Sequence, residues 1–221
     1  MTFHMKSSIA AVLMLAGLGL ATQAANADAL DDITKAGAIN VGIFSDFPPF
    51  SSASADMSIK GYDIDVAQFI ADQLKVKLNL VSVTGQNRIP YLTDKRVDIL
   101  MSVGYSKERD TSLTEAAPAS ADIRRFDNYN SVIQAFISGQ TQLMVVGNDV
   151  GAQVLARQEA LKPEQKFQLL TSPSHIGLNK NEDRLKQAVN DAVAKMLADG
   201  KLDESSKAWL KTPLNPDNLK D

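Results

Sequence analysis

The stretch Asp98-Ile-Leu-Met-Ser-Val-Gly-Tyr-Ser-Lys-Glu-Arg109 decides how the rest of the chain is read. Its first half is an apolar run that fits a buried strand, and its second half is a Gly-Tyr-Ser turn followed by one arginine. A strand ending this way presents backbone N–H groups and a planar guanidinium to a small carboxylate at its mouth. Beyond Arg109 the chain passes at once into Asp110-Thr-Ser-Leu-Thr-Glu115, with no further strand to form a second wall.

Upstream, Ile39-Asn-Val-Gly-Ile-Phe44 predicts a strand, stopped by Ser45-Asp-Phe-Pro-Pro-Phe50 because consecutive prolines cannot continue a central ladder. A short helix precedes it over 30–35, and a polar loop over 51–60 follows. Gly61-Tyr-Asp-Ile-Asp65 then opens a helix, with Ile64, Val66, Ala67, Phe69, Ile70 and Leu74 at helical spacing through Lys75. Residues 76–83 predict a second strand, 87–92 a short helix, and 97–103 the third strand. This alternation implies a parallel sheet with helices on its faces, whose ligands sit beyond the carboxyl ends of the strands. Those ends are 44–50, 84–88 and 104–109.

Downstream the alternation is expected to repeat, with strands at 122–126 and 142–146 and helices at 129–138 and 150–161. Extended segments at 167–170 and 175–178 follow. Residues 183–197 predict a long amphipathic helix stopped by Gly200, and a last short helix ends at Trp209-Leu210.

The sequence has 221 residues, 44% of them apolar, and a formal charge of -3, which supports a real core but gives counterion-release binding to nucleic acid little to work with. Lys6, the apolar run 9–20 and Ala25-Asn-Ala27 read as a secretory signal with cleavage before Asp28. That run falls short of the roughly 20 residues a membrane-spanning helix needs. Without cysteine there is neither a disulfide framework nor a lipid-modified thiol, so the expected product is free of a membrane anchor in a bacterial periplasm.

Enzyme motifs are scarce. After residue 27 the sole histidine is His175, which gives no basis for a catalytic triad or a zinc site, and neither standard phosphate loop occurs, so no metal or cofactor is expected. Asp63 and Asp65, in the first turn of a helix, read as capping carboxylates. Three features favour small-molecule binding instead. Phe47 and Phe50 flank two prolines at a strand end, and Arg88 and Arg109 stand at the exits of the second and third strands. The alternative for each arginine is pairing with a nearby acid such as Asp94, Glu108 or Asp110.

The order Phe47-Pro-Pro-Phe50, Gly61-Tyr-Asp-Ile-Asp65, Gln86-Asn-Arg-Ile-Pro-Tyr-Leu92, Val97-Asp-Ile99 and Ser106-Lys-Glu-Arg109 resembles the family-3 extracellular solute-binding proteins, the polar amino-acid receptors of bacterial ABC importers. The likeness resumes at Ile133-Gln-Ala-Phe-Ile-Ser-Gly-Gln140 and Gly147-Asn148 and runs on to Trp209-Leu210. The resemblance implies an α/β fold of the type II periplasmic-binding-protein kind: two hinged lobes with mixed, mostly parallel sheets, closing as a monomer on one amino acid that passes to a membrane permease. It implies that Phe47 stacks on the ligand, Arg109 clamps its α-carboxylate, and Ser102 and Gly104 contact it at the strand end. Gly104 stands where many members carry Ser or Thr. Asn148 and Asp149, beside Gly147, are the candidates for holding the α-amino group, and Arg88 resembles the side-chain-reading arginine of acidic amino-acid receptors. Those receptors also carry an arginine near the position of Phe44.

Against that family the chain lacks a few tens of residues after Arg109. The expected division is a signal peptide at 1–27, lobe one at 28–110, a truncated lobe two at 111–170, and a return to lobe one at 171–221. Two rival readings follow: a periplasmic dehydratase-like enzyme on a small carboxylate, with Asp149 or Glu108 as the acid, and a truncated chain that no longer binds.

Overall fold

A computed structural model describes residues 28–104, 114–167, 169 and 174–214; the expected signal at 1–27, and Arg109 with its neighbours, lie outside the described residues. The first helix, α1 (Ala29–Ala36), starts at Asp28, whose carboxylate accepts the Leu30 N–H, and ends on Gly37 in the left-handed region. The chain turns there into β1 (Ala38–Ile43).

Strand β1 is the centre of the molecule. It pairs in parallel with β5 (Lys77–Ser82) on one side and β6 (Ile99–Val103) on the other. Strand β7 (His175–Gly177) closes the far edge antiparallel to β6, so the sheet order is β5-β1-β6-β7. Side chains alternate across it. Ile39, Val41 and Ile43 face a core shared with α1, α2 (Tyr62–Leu74) and α6 (Asp183–Ala198), to which Val66, Ile70, Leu185, Val189 and Met196 belong. Each such side chain contributes about 1.5–3 kcal/mol on full burial. On the opposite face Val97 and Leu100 pack with Val83 and with Leu92 of α3 (Arg88–Thr93). Gly42 lets that face close, because a Cβ there would lie 2.5 Å from Leu100 Cδ2. At the other end of the strands Asp98 Oδ2 accepts both the backbone and the side-chain N–H of Asn40, which in turn accepts from Asn79, tying β6, β1 and β5 together in one polar row.

Between β1 and α2 lie three short antiparallel strands, β2 (Asp46–Phe47), β3 (Ser51–Ala53) and β4 (Ile59–Lys60), joined by a turn with a cis Pro48–Pro49 bond. This turn, and not a side chain, caps α2. The N–H groups of Tyr62 and Asp63 donate to the carbonyls of Pro49 and Phe50 at 3.1 and 2.9 Å. Gly61 makes the approach possible: its φ is +146°, and a Cβ would sit 2.1 Å from the Phe50 oxygen. The capping expected of Asp63 and Asp65 is therefore not what they do. The Asp65 carboxylate instead accepts from Ser205 Oγ and Trp209 Nε1, anchoring α7 (Lys201–Ser205) and the π-helical turn Ser206–Leu210 against α2.

The middle of the chain departs from expectation. Helices α4 (Tyr129–Ile137) and α5 (Asn148–Arg157) form, α5 two residues earlier than predicted and ending before a short 3-10 turn, Glu159–Leu161. The predicted strands at 122–126 and 142–146 do not form, and the described residues of 167–170 are not in a strand. The physical reason is the lack of a ladder partner. A strand needs a neighbour to pair its N–H and C=O groups, and none lies beside these segments among the described residues. Leu143 and Val145 are accordingly 62% and 53% exposed.

Candidate functional site

The carboxyl ends of β1, β5 and β6 open on the same side of the sheet, where the parallel pairing puts them in line. Phe44 leaves β1 there, and the antiparallel turn brings Phe47 back beside it, ring edge to ring face at 6.0 Å and 83°. Phe47 stacks on Phe50 at 4.7 Å. Arg88, at the start of α3, sets its guanidinium carbon 5.7 Å from the centre of the Phe44 ring, a cation–π contact. The structure thus joins two residues expected at this mouth, Phe47 and Arg88, through Phe44, the strand-end residue that stands near the arginine position of acidic amino-acid receptors.

Residues from the middle of the chain complete the cluster. Tyr129, the first residue of α4, lies flat on Phe47 with centroids 4.3 Å apart and planes 8° from parallel, and meets Phe44 edge-on at 6.0 Å. Its position is fixed by three contacts: Asn128 caps α4, Asp46 accepts the Asn130 N–H, and Asp127 receives the Gly85 N–H and the Gln86 side chain. Val150, in the first turn of α5, is buried against Phe44 and Phe47. The turn that carries Asn148 and Asp149 therefore adjoins the aromatic cluster, although their side chains, like the whole of Arg109, lie outside the described residues. Nothing in the sequence singled out Tyr129; an aromatic following an N-cap asparagine is the one available signal.

Ser102 sits near the end of β6 with φ of +52°, an uncommon backbone for a residue with a Cβ, costing about 1–2 kcal/mol. Its hydroxyl donates to Asp63 Oδ2 at 2.6 Å. Asp63 is 5% exposed, and burial pushes its carboxyl up to about 6 against the lowering effect of the Ser102 hydrogen bond. Burial, with the Asp63 charge adding to it, raises the neighbouring Tyr62 phenol. Gly104 follows at the strand end, half-buried. The site thus offers aromatic faces, a guanidinium and a strand-end hydroxyl. Among the described residues no cluster of His, Cys, Asp or Glu could hold a metal, and no helix is long and apolar enough to cross a membrane.

Residues 39–212 match the bacterial extracellular solute-binding proteins, family 3. Cyclohexadienyl dehydratase of Pseudomonas aeruginosa is 32% identical over 120 residues, 54% of this chain but 44% of that protein, so this chain spans less than half of that relative. The L-cystine-binding protein TcyJ of Escherichia coli is 21% identical over 91% of this chain and 92% of its own; the 247-residue alignment exceeds this chain's 221 residues and so opens gaps in it. In structure, the P235GK mutant of ArgBP from T. maritima superposes with a TM-score of 0.74 at 21% identity, covering 83% of this chain and 100% of that one. The fold is that of the type II periplasmic binding proteins, α/β with a mixed, mostly parallel sheet. The chain belongs to the family-3 bacterial extracellular solute-binding proteins, whose curated members include amino-acid receptors of ABC importers.

Proposed function

We propose that this chain is a periplasmic receptor that captures one polar amino acid at the carboxyl ends of β1, β5 and β6 and delivers it to an ABC permease. The observation that carries the reading is the grouping of Phe47, Phe44 with Arg88, and Ser102 at three adjacent strand ends, in a chain of a family that binds solutes. In this reading Phe47 supplies the apolar platform and Arg88 reads the ligand side chain. Ser102 and the Gly104 N–H meet the α-carboxylate together with Arg109, while Asn148 and Asp149 take the ammonium group. Lobe one comprises 28–110 and 171–221, and the shortened 111–170 forms the opposing wall, following removal of residues 1–27. The chain acts as a monomer and needs no cofactor. Calorimetric titration of the folded protein with each of the common L-amino acids tests it. Saturable heat with one chemical class is expected; absence of heat with all of them rejects the receptor reading and leaves a chain that has kept the fold and lost the ligand.

One observation favours a second reading. A stretch of 120 residues is 32% identical to a curated relative named as a dehydratase, and a carboxyl held near neutrality is the kind of group acid catalysis uses. Release of water from a cyclohexadienyl substrate, followed by absorbance, separates the two; turnover would establish the enzyme, and none is expected, because Asp63 lies behind Ser102 and not in the mouth.

A further inference from the structure

We propose that Asp63 is a positioning residue that links capture of the ligand carboxylate to uptake of one proton, acting through the hydroxyl of Ser102. The inference rests on the receptor reading above and concerns how its strand-end site responds to pH.

The geometry allows two hydrogen-bond states at one place. With Asp63 ionised, the carboxylate has no proton to give, so the 2.6 Å contact must run from Ser102 O–H to Asp63. The hydroxyl then turns only lone pairs toward the mouth, and the Asp63 charge stands one residue behind it. Both oppose an incoming carboxylate. With Asp63 protonated, the acid donates to Ser102 Oγ, the negative charge is gone, and the Ser102 proton is free to be donated to the ligand. No heavy atom need move far, because the same two oxygens, 2.6 Å apart, share a hydrogen bond in either state. The bookkeeping is closed: one proton is taken from solvent by Asp63 for each carboxylate bound, and the Ser102 proton changes partner without leaving its oxygen.

The surroundings keep the switch isolated. Asp63 is buried at the start of α2, a helix that packs against β1, β3, β4, β5, β6, α6, α7 and the π-helical turn. Among the described residues, the titratable group whose charge state it influences is Tyr62, its neighbour, which stays neutral throughout the range concerned. Asp65, two residues on, is engaged by Ser205 and Trp209, and among the described residues no lysine or arginine forms an ion pair with Asp63. Burial without a cationic partner is the condition under which a carboxyl titrates near neutrality, and Asp63 does so at about 6. A carboxylate arriving at Ser102 raises that value further.

The test is calorimetry with the L-amino acids in pairs of buffers of different ionisation enthalpy, between about pH 5.5 and about pH 8, with the corresponding amine lacking the carboxylate as a control. We expect up to one proton taken up per amino acid bound near pH 7, none with the amine, and affinity falling by up to about tenfold per pH unit above pH 6. Asp63→Asn removes both the uptake and the pH slope. Binding without proton uptake, or with the same uptake in Asp63→Asn, overturns the inference and leaves the receptor reading intact; no binding of any amino acid removes both. Should Asp63→Asn not fold, the carbon-13 shift of the Asp63 carboxyl in the wild-type protein decides. An inflection that moves up on saturation with the amino acid supports the linkage, and one that stays fixed overturns it.

Discussion

Asp28 Oδ1 accepts the backbone N–H of Leu185 at 3.1 Å, joining the beginning of α1 to the beginning of α6 across 157 positions of sequence. The same carboxylate takes the N–H groups of Leu30 and Arg184, while Glu182 Oε2 takes the Ala29 N–H at 2.5 Å, so each helix start is held by an acid at the start of the other. Burial alone would raise the Asp28 carboxyl, but the backbone donors outweigh it and hold it below the ordinary value. Asp28→Ala should therefore cost about 2 kcal/mol in urea unfolding at neutral pH, the scale of a lost cap with charged hydrogen bonds. The sign of its pH dependence follows from the lowered value. This stability is fully present above the ordinary carboxyl value of 3.8 and is lost as pH falls through the folded one. Wild type and Asp28→Ala should converge in acid; a constant gap would show that the carboxylate charge is not what matters.

Asp63 behaves in the opposite sense. Its carboxyl is raised, from 3.8 to about 6, so the folded state binds a proton more readily than the unfolded chain does. Its contribution is fully present below 3.8 and declines as pH rises to about 6, by about 3 kcal/mol in total, after which it is constant. Asp63→Asn should flatten this part of the stability profile, measured by denaturant midpoints at a series of pH values. An unchanged difference between the two proteins across that window would refute the assignment.

Gly61→Ala should be among the most damaging single-methyl additions in the chain. The added carbon would press on the Phe50 carbonyl that caps α2, at 2.1 Å, and backbone there cannot swing aside as a side chain tip can. We expect a loss of about 3 kcal/mol or more, or failure to accumulate as folded protein. Gly85→Ala, whose new carbon would find its nearest neighbour at 3.7 Å, serves as the matched control and should change stability by less than about 1 kcal/mol.

How far the sequence anticipates these features depends on where the partner of each residue lies. Strands β1, β5 and β6 are legible because each run carries its own β-rich or apolar pattern and the helices between them fix the parallel order. The segment Gln142-Leu-Met-Val-Val146 carries an equally apolar pattern and forms no strand, since pairing is a property of two segments and none pairs with it among the described residues. Asp63 illustrates the same limit at the site. A carboxylate in a first helical turn is ordinarily a cap, and only the three-dimensional arrangement shows that carbonyls of Pro49 and Phe50 already serve α2, leaving Asp63 to Ser102. Phe47 and Arg88 were readable as neighbours of strand ends; that Phe44 links them, and that Tyr129 covers Phe47, was not.

That cover has a consequence for binding. An aromatic pair of this geometry contributes about 0.5–1.5 kcal/mol beyond its buried area, and Tyr129 lies on the Phe47 ring at 4.3 Å, where the receptor reading needs a ring face for the ligand. If Tyr129 competes for that face, Tyr129→Ala should tighten amino-acid binding by roughly threefold to tenfold, the same free energy expressed as affinity, while slightly lowering stability. Tyr129→Phe keeps the ring and should leave affinity unchanged, which separates the stacking from the phenol. Weaker binding by Tyr129→Ala would assign the ring the opposite role, a wall of the closed site that the shortened lobe supplies in place of the missing residues.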